Sequence, residues 1–316
     1  MFMCSGRPTG AGAHPSTILQ TFRLPEPVKG ELELRFRPTG KEKADTAAVE
    51  NTVSEIIMPK SYLAEYVQYL GNAVPKDTLN VLCVGNSFTY YWGCPAMLKE
   101  IAWNEGHYLR VKSTLKGGQT LGDHLALPVS RNVVNAGRYD FAFFQDQSQS
   151  PARYASDTTQ FDYVNTNFLK LTDRLLSRSR NCRVILESTW SFEKDDFGGF
   201  GSHAAFDSLM TIGTSMMVRN ASKIFGANDF EVSPIGRAFS IVRNENPGID
   251  LYSADSKHQS DYGSYLKACV NYLMIFRKPF QSQPADGATS SIDCGIPQDK
   301  AAYLRQVAER VVLGSR

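Results

Sequence analysis

From about residue 79 onward the chain repeats one pattern: a short run of β-branched and aromatic residues, then a longer stretch with apolar residues at helical spacing. That alternation predicts a parallel sheet covered by helices on both faces. The strands fall at Asn80 to Val84, Tyr108 to Ser113, Phe141 to Phe144, Arg183 to Glu187 and Phe230 to Val232. Helices are predicted for Cys94 to Asn104, Leu121 to Asn135, Asp162 to Ser177, Ala205 to Ala221, Ser260 to Phe276 and Gln298 to Leu313. The order predicts an α/β fold, a flavodoxin-like three-layer α/β/α sandwich with a central parallel five-stranded sheet. Ligands of such folds sit beyond the carboxyl ends of the strands, so chemistry is expected just after each strand.

Residues 1 to about 45 are rich in Gly, Pro, Thr and charge, with one alternating run, Glu31 to Phe36, that suits an edge strand or hairpin arm. Between Asp45 and Leu70 the residues Val49, Val53, Ile56, Ile57, Leu63, Tyr66, Val67 and Leu70 recur at roughly helical spacing, interrupted at Pro59. Residues 1–75 are therefore expected to form a partly irregular extension with a helical segment, and 76–316 the main domain.

The 34 basic and 32 acidic side chains nearly cancel, which leaves no basic field for a nucleic-acid backbone. The longest apolar stretch, around Cys269 to Phe276, is far shorter than the roughly 20 residues of a membrane span. The six cysteines show no CxxC spacing, and no His/Asp/Glu cluster has ligand spacing, so no metal or organic cofactor is expected. The first ten residues lack an apolar signal core, which fits a cytoplasmic protein or a chain whose export signal lies outside this sequence.

Two stretches carry chemistry. The first strand runs directly into Gly85-Asn86-Ser87-Phe88-Thr89, which sets a hydroxyl where a sheet ends and a helix begins. In isolation Ser87 reads first as a helix cap. The segment fits neither a dinucleotide loop nor a P-loop, nor the G-x-S-x-G elbow. The second stretch is Asp255-Ser256-Lys257-His258, in which the carboxylate can reach one imidazole nitrogen and leave the other free as a base. Its plainer alternative is a turn aspartate beside a surface histidine.

Together these residues resemble the SGNH or GDSL-like hydrolases, in the bacterial branch whose first block reads GNSFT. The second block looks like Gly117-Gly118-Gln119-Thr120-Leu121, and the fifth like Asp255 to Leu266, a D-x-x-H-x-S-x-x-G-x-Y-L run. The third block departs from the family pattern, with Gln145-Asp146-Gln147-Ser148-Gln149 where most relatives carry G-x-N-D. It is closer to the Q-G-E-S-N of sialate and xylan acetylesterases, which puts Gln149 at the asparagine position, with Gln147 in reserve.

The resemblance spans roughly Leu79 to Phe280. It implies a serine esterase that removes small acyl groups, O-acetyl above all, from a glycan or small-molecule ester, in an exported setting. Ser87, His258 and Asp255 would form the proton relay. The backbone N–H groups of Ser87 and Gly118 and the Gln149 amide would form the oxyanion hole, while Asn86, His124 and Trp190 would line the substrate site. A carbohydrate-binding protein on the same scaffold and a lipase or thioesterase are the competing readings.

Overall fold

The computed structural model describes residues 77–194, 196–226, 230–281, 292–294 and 296–314, together with the pairs Met3–Cys4 and Ile56–Ile57. The chain divides into two compact units, Met1–Ala73 and Val74–Arg316. In the first, Met3–Cys4 pairs antiparallel with Ile56–Ile57. The isoleucine pair, which spacing had placed in a helical run, thus lies in a strand, as β-branched side chains favour. The alternating run at Glu31 to Phe36 and the rest of the helical reading lie outside the described residues.

In the second unit five strands, β1 (Leu79–Gly85), β2 (Leu109–Leu115), β3 (Phe141–Phe144), β4 (Arg183–Glu187) and β5 (Phe230–Ser233), form one sheet in the order β2-β1-β3-β4-β5. Every pairing is parallel, with Val81 opposite both Val111 and Phe141. The architecture is the predicted three-layer sandwich. Alternating side chains build its two cores. Val81, Cys83, Phe143 and Ile185 face one way, toward helices α2 (Cys94–Asn104), α8 (Ile235–Glu245), α9 (Asp261–Phe276) and α10 (Gln298–Val312). Leu82, Val84, Phe144 and Leu186 face the other, against α3 (Leu121–Ala126), α4 (Pro128–Asn135), α6 (Asp162–Leu176) and α7 (His203–Phe225).

Three helical segments differ from expectation. The single helix predicted for Leu121 to Asn135 is broken at Leu127, which is extended (φ −71°, ψ 122°) because Pro128 follows it and opens α4. Two helices went unread, α5 (Ser150–Ser156) and α8, although Ile235, Ala238, Phe239 and Val242 of α8 have the i, i+3, i+4, i+7 spacing of a buried face.

Helix α9 matters most for the site, because it starts immediately after the Asp255–His258 loop. Its cap, Ser260, accepts the Gly263 N–H at 3.1 Å and donates to the Asp250 carbonyl at 2.7 Å. Gly263 is glycine because the helix presses on that loop: an added Cβ would lie 2.4 Å from the Leu251 carbonyl oxygen and 2.9 Å from Phe239. Gly263→Ala is therefore predicted to cost roughly 3 kcal/mol, the upper range for overpacking, and to lower Tm by roughly 6–12 °C for a domain of this size. An unchanged melting curve would contradict this packing.

Candidate active site

The nucleophile candidate follows β1, an inner strand of the sheet. Asn86, not Ser87, caps the one-turn helix α1 (Ser87–Tyr90): its Oδ1 accepts the Phe88 N–H at 3.0 Å, and its Nδ2 donates to the Gln119 carbonyl at 2.9 Å. The Ser87 hydroxyl is thereby released from capping. Gly85 is required for room and not for unusual backbone angles, since an added Cβ would lie 2.7 Å from Thr89 Oγ1 and 2.8 Å from Gln145 Oε1. Gln145 Oε1 accepts both the Asn86 N–H and the Thr89 hydroxyl, each at 3.0 Å.

Across the mouth of the sheet, His258 Nε2 lies 2.7 Å from Ser87 Oγ, and His258 Nδ1 lies 2.5 Å from Asp255 Oδ2. The partners define the tautomer: the carboxylate accepts from Nδ1–H, so Nε2 is left to accept the Ser87 proton. Asp255 Oδ1 also accepts the backbone N–H groups of Lys257 and His258 at 3.0 and 2.9 Å. Burial alone would raise this carboxyl, but those bonds, led by the His258 ring, hold it below its ordinary range.

The loop carrying the pair is pinned from the segment after β4. Ser256, in the left-handed region at φ 57°, donates its hydroxyl to Glu193 Oε2 at 2.8 Å, and its carbonyl accepts the Glu193 N–H at 2.8 Å. Trp190 Nε1 donates to the Lys257 carbonyl at 3.0 Å.

The second block sits beside the hydroxyl through Asn86 and Gln119. Gly118 is exposed at φ 71°. Among the described residues its N–H and that of Ser87 have no hydrogen-bond partner. In the third block Asp146 Oδ1 accepts the Leu121 and Gln147 N–H groups at 3.0 and 2.7 Å, while burial pushes its carboxyl up to about 6 against them. Gln147 Oε1 accepts the Gln149 N–H at 3.1 Å. Gln149 Oε1 accepts from Arg153 at 2.8 Å, which turns the NH₂ end toward Gly198, where a Cβ would come within 2.8 Å of it.

The three residues expected to line a substrate site do otherwise. Asn86 is buried in its capping role. His124 is 1% exposed, with Nε2 on the Gly85 carbonyl at 2.9 Å and Nδ1 on Ser130 Oγ at 2.8 Å; burial lowers its pKa and keeps it neutral. Trp190 is wholly buried, stacked on Phe239 at 4.2 Å and on Phe88 at 4.9 Å, so its ring has no face to offer a sugar. Cys94 is buried as well, its thiol pushed up to about 12 by desolvation.

One aromatic that the sequence pattern did not single out packs on the His258 ring, beside Phe88 with its centroid at 5.1 Å. Tyr91 stacks face to face on the His258 ring, with centroids 4.2 Å apart and planes 9° apart. Burial first, then the Asp255 carboxylate, pushes the Tyr91 phenol above its usual range, so the stacked ring is neutral. Two adjacent tyrosines after G-x-S-x-x were the available signal. Tyr90 approaches the second block, its hydroxyl 3.0 Å from where a Gly117 Cβ would be.

Among the described residues no group of three or more His, Cys, Asp or Glu could hold a metal ion, and no helix is long and apolar enough to cross a membrane.

The sequence matches no family model and no curated protein. Among solved structures it is similar to a DUF4886 family protein from Bacteroides uniformis, with a TM-score of 0.56 at 16% identity over 75% of this chain and 95% of that one. That likeness shows the fold. Matches of lower score are a candidate SGNH hydrolase from Slackia heliotrinireducens (TM-score 0.48, 21% identity, 62% of this chain and 97% of that one) and a catalytic mutant of an acetylxylan esterase from Geobacillus stearothermophilus (TM-score 0.48, 15% identity, 65% and 97%).

A flat aromatic face against an imidazole favours its protonated form by cation–π attraction. Tyr91→Leu is therefore predicted to slow any reaction in which His258 takes the Ser87 proton by about 2- to 30-fold. Tyr91→Phe, which keeps the ring, should not. Labelling rates of Ser87 with a fluorophosphonate in the three proteins check this, and equal rates would remove the stack from the site's chemistry.

Proposed function

We propose that the protein is a serine esterase of the SGNH type that removes small acyl groups, chiefly O-acetyl, from a carbohydrate-like substrate through an acyl-enzyme. The observation that carries this reading is the continuous chain from Ser87 Oγ to His258 Nε2 and from His258 Nδ1 to Asp255, with bonds of 2.7 and 2.5 Å. Such a chain exists to move a proton off a hydroxyl. A helix cap or a surface histidine does not require it.

Ser87 Oγ attacks the ester carbonyl as His258 Nε2 takes its proton. Asp255 stabilises the imidazolium that results and keeps its orientation. The developing oxyanion meets the Ser87 and Gly118 N–H groups and the NH₂ end of Gln149, whose oxygen Arg153 holds away. His258 then gives its proton to the leaving alcohol, and water repeats the sequence to release the acid. The preference for a short acyl group and a sugar-like alcohol rests on the resemblance of the third block to the sialate and xylan acetylesterase branch.

Ser87→Ala should lower kcat on nitrophenyl acetate by on the order of 10⁶-fold, as in triads stripped of their nucleophile. More than a few per cent of residual turnover would exclude this mechanism. Gln149→Ala should cost roughly 10²–10³-fold, the usual worth of one oxyanion donor, and an unchanged rate would transfer the role to Gln147. On acetyl, butyryl and octanoyl nitrophenyl esters kcat/KM should fall with chain length, and a rise toward octanoyl would indicate a lipase or thioesterase instead.

A further inference from the structure

Directly beneath the nucleophile turn the chain buries a charged pair. Lys267 of α9 is 0% exposed and Glu187 at the end of β4 is 2% exposed, and Lys267 Nζ lies 2.6 Å from Glu187 Oε2. Burying two charges costs more free energy than a well-packed apolar pair of the same volume, so stability alone does not account for such a pair. Its remaining bonds show what it holds. Lys267 Nζ donates to the Phe88 carbonyl at 2.9 Å and to Thr89 Oγ1 at 3.2 Å, which uses its third proton. Glu187 Oε1 accepts from Asn271 Nδ2 at 2.7 Å, and Asn271 Oδ1 accepts from the Ser233 hydroxyl at 2.8 Å. No charge in the network is left unpaired.

The nucleophile turn needs such a grip. Helix α1 ends after one turn because the chain leaves helical angles at Tyr91 (φ −53°, ψ 140°), so the carbonyl of Phe88 cannot find a donor further along its own helix. Lys267 supplies that donor, joined by Gln259 Nε2 at 3.2 Å. Through Thr89 and Gln145 the same network reaches the Asn86 N–H, so it holds the residues on both sides of Ser87. Both anchors come from the segment that also carries the base: Gln259 follows His258, and Lys267 lies two turns inside α9.

We propose that the buried Lys267–Glu187 pair is a positioning device that fixes the Ser87 turn relative to His258, so that its main effect is on turnover and not on folding. This inference rests on the esterase reading above.

The test is the double variant Lys267→Met with Glu187→Gln, which removes both charges together and keeps an oxygen for Asn271. The double variant is expected to melt within a few degrees of the parent. Its kcat on nitrophenyl acetate should fall on the order of 10²-fold, the cost of displacing a reacting group by about 1 Å, with KM unchanged. Thr89→Val, a milder cut in the same network, should lower kcat by about 2- to 10-fold, and Thr89→Ser, which keeps the hydroxyl, should restore it. This pair decides the matter if the double variant does not fold.

Full kcat in a folded double variant, or in Thr89→Val, would overturn the inference while leaving the esterase reading intact. A parent protein inert to both nitrophenyl acetate and a fluorophosphonate would overturn the two together.

Discussion

One hydrogen bond, from the Ser87 hydroxyl to His258 Nε2, joins loops that are 171 residues apart in sequence, and the organisation of the domain serves that contact. A bond of this kind weakens steeply with misalignment, so each partner must be held by structure that does not shift with it. Ser87 is referenced to β1 and β3 through the capping of Asn86 and the Gln145 amide. His258 is referenced to Asp255, to the Tyr91 face and, through Lys257 and Ser256, to the segment after β4. Helix α9 closes the circuit, since its cap Ser260 is tied to Asp250 ahead of the Asp255–His258 loop and Lys267 in its second turn to the turn that holds Ser87.

The frame of this arrangement was readable from local pattern. Inner strands covered on both faces are largely apolar, as β1, β3 and β4 are, and all five strands lie within two residues of their predicted ends. The meeting of Ser87, Asp255 and His258 was also legible, because a D-x-x-H turn constrains its own geometry and a hydroxyl after the first strand has to lie at the carboxyl edge of the sheet.

What escaped the sequence was the direction in which side chains point once the strands have ended. Trp190 follows β4 just as a sugar-binding aromatic would, yet it turns inward onto Phe239 and Phe88 and bonds to the Lys257 carbonyl. His124 lies one turn after the second block, but its ring turns into the core, onto the Gly85 carbonyl and Ser130. Lys267 had a clear signal, a lone cation within the apolar run from Tyr265 to Phe276. Only its partner across the sheet, Glu187, gives that cation a meaning, and sequence distance hides the pairing.

The proposed esterase mechanism requires covalent acylation of Ser87, and the direct measurement is an acid quench of the protein during turnover of an acetyl ester, followed by mass spectrometry of its peptides. An acetyl group on the peptide that holds Ser87, formed within the first turnover and lost on a chase with water, is the predicted result. Steady hydrolysis with that peptide unmodified at every time point, or with the acetyl group on another residue, would contradict it.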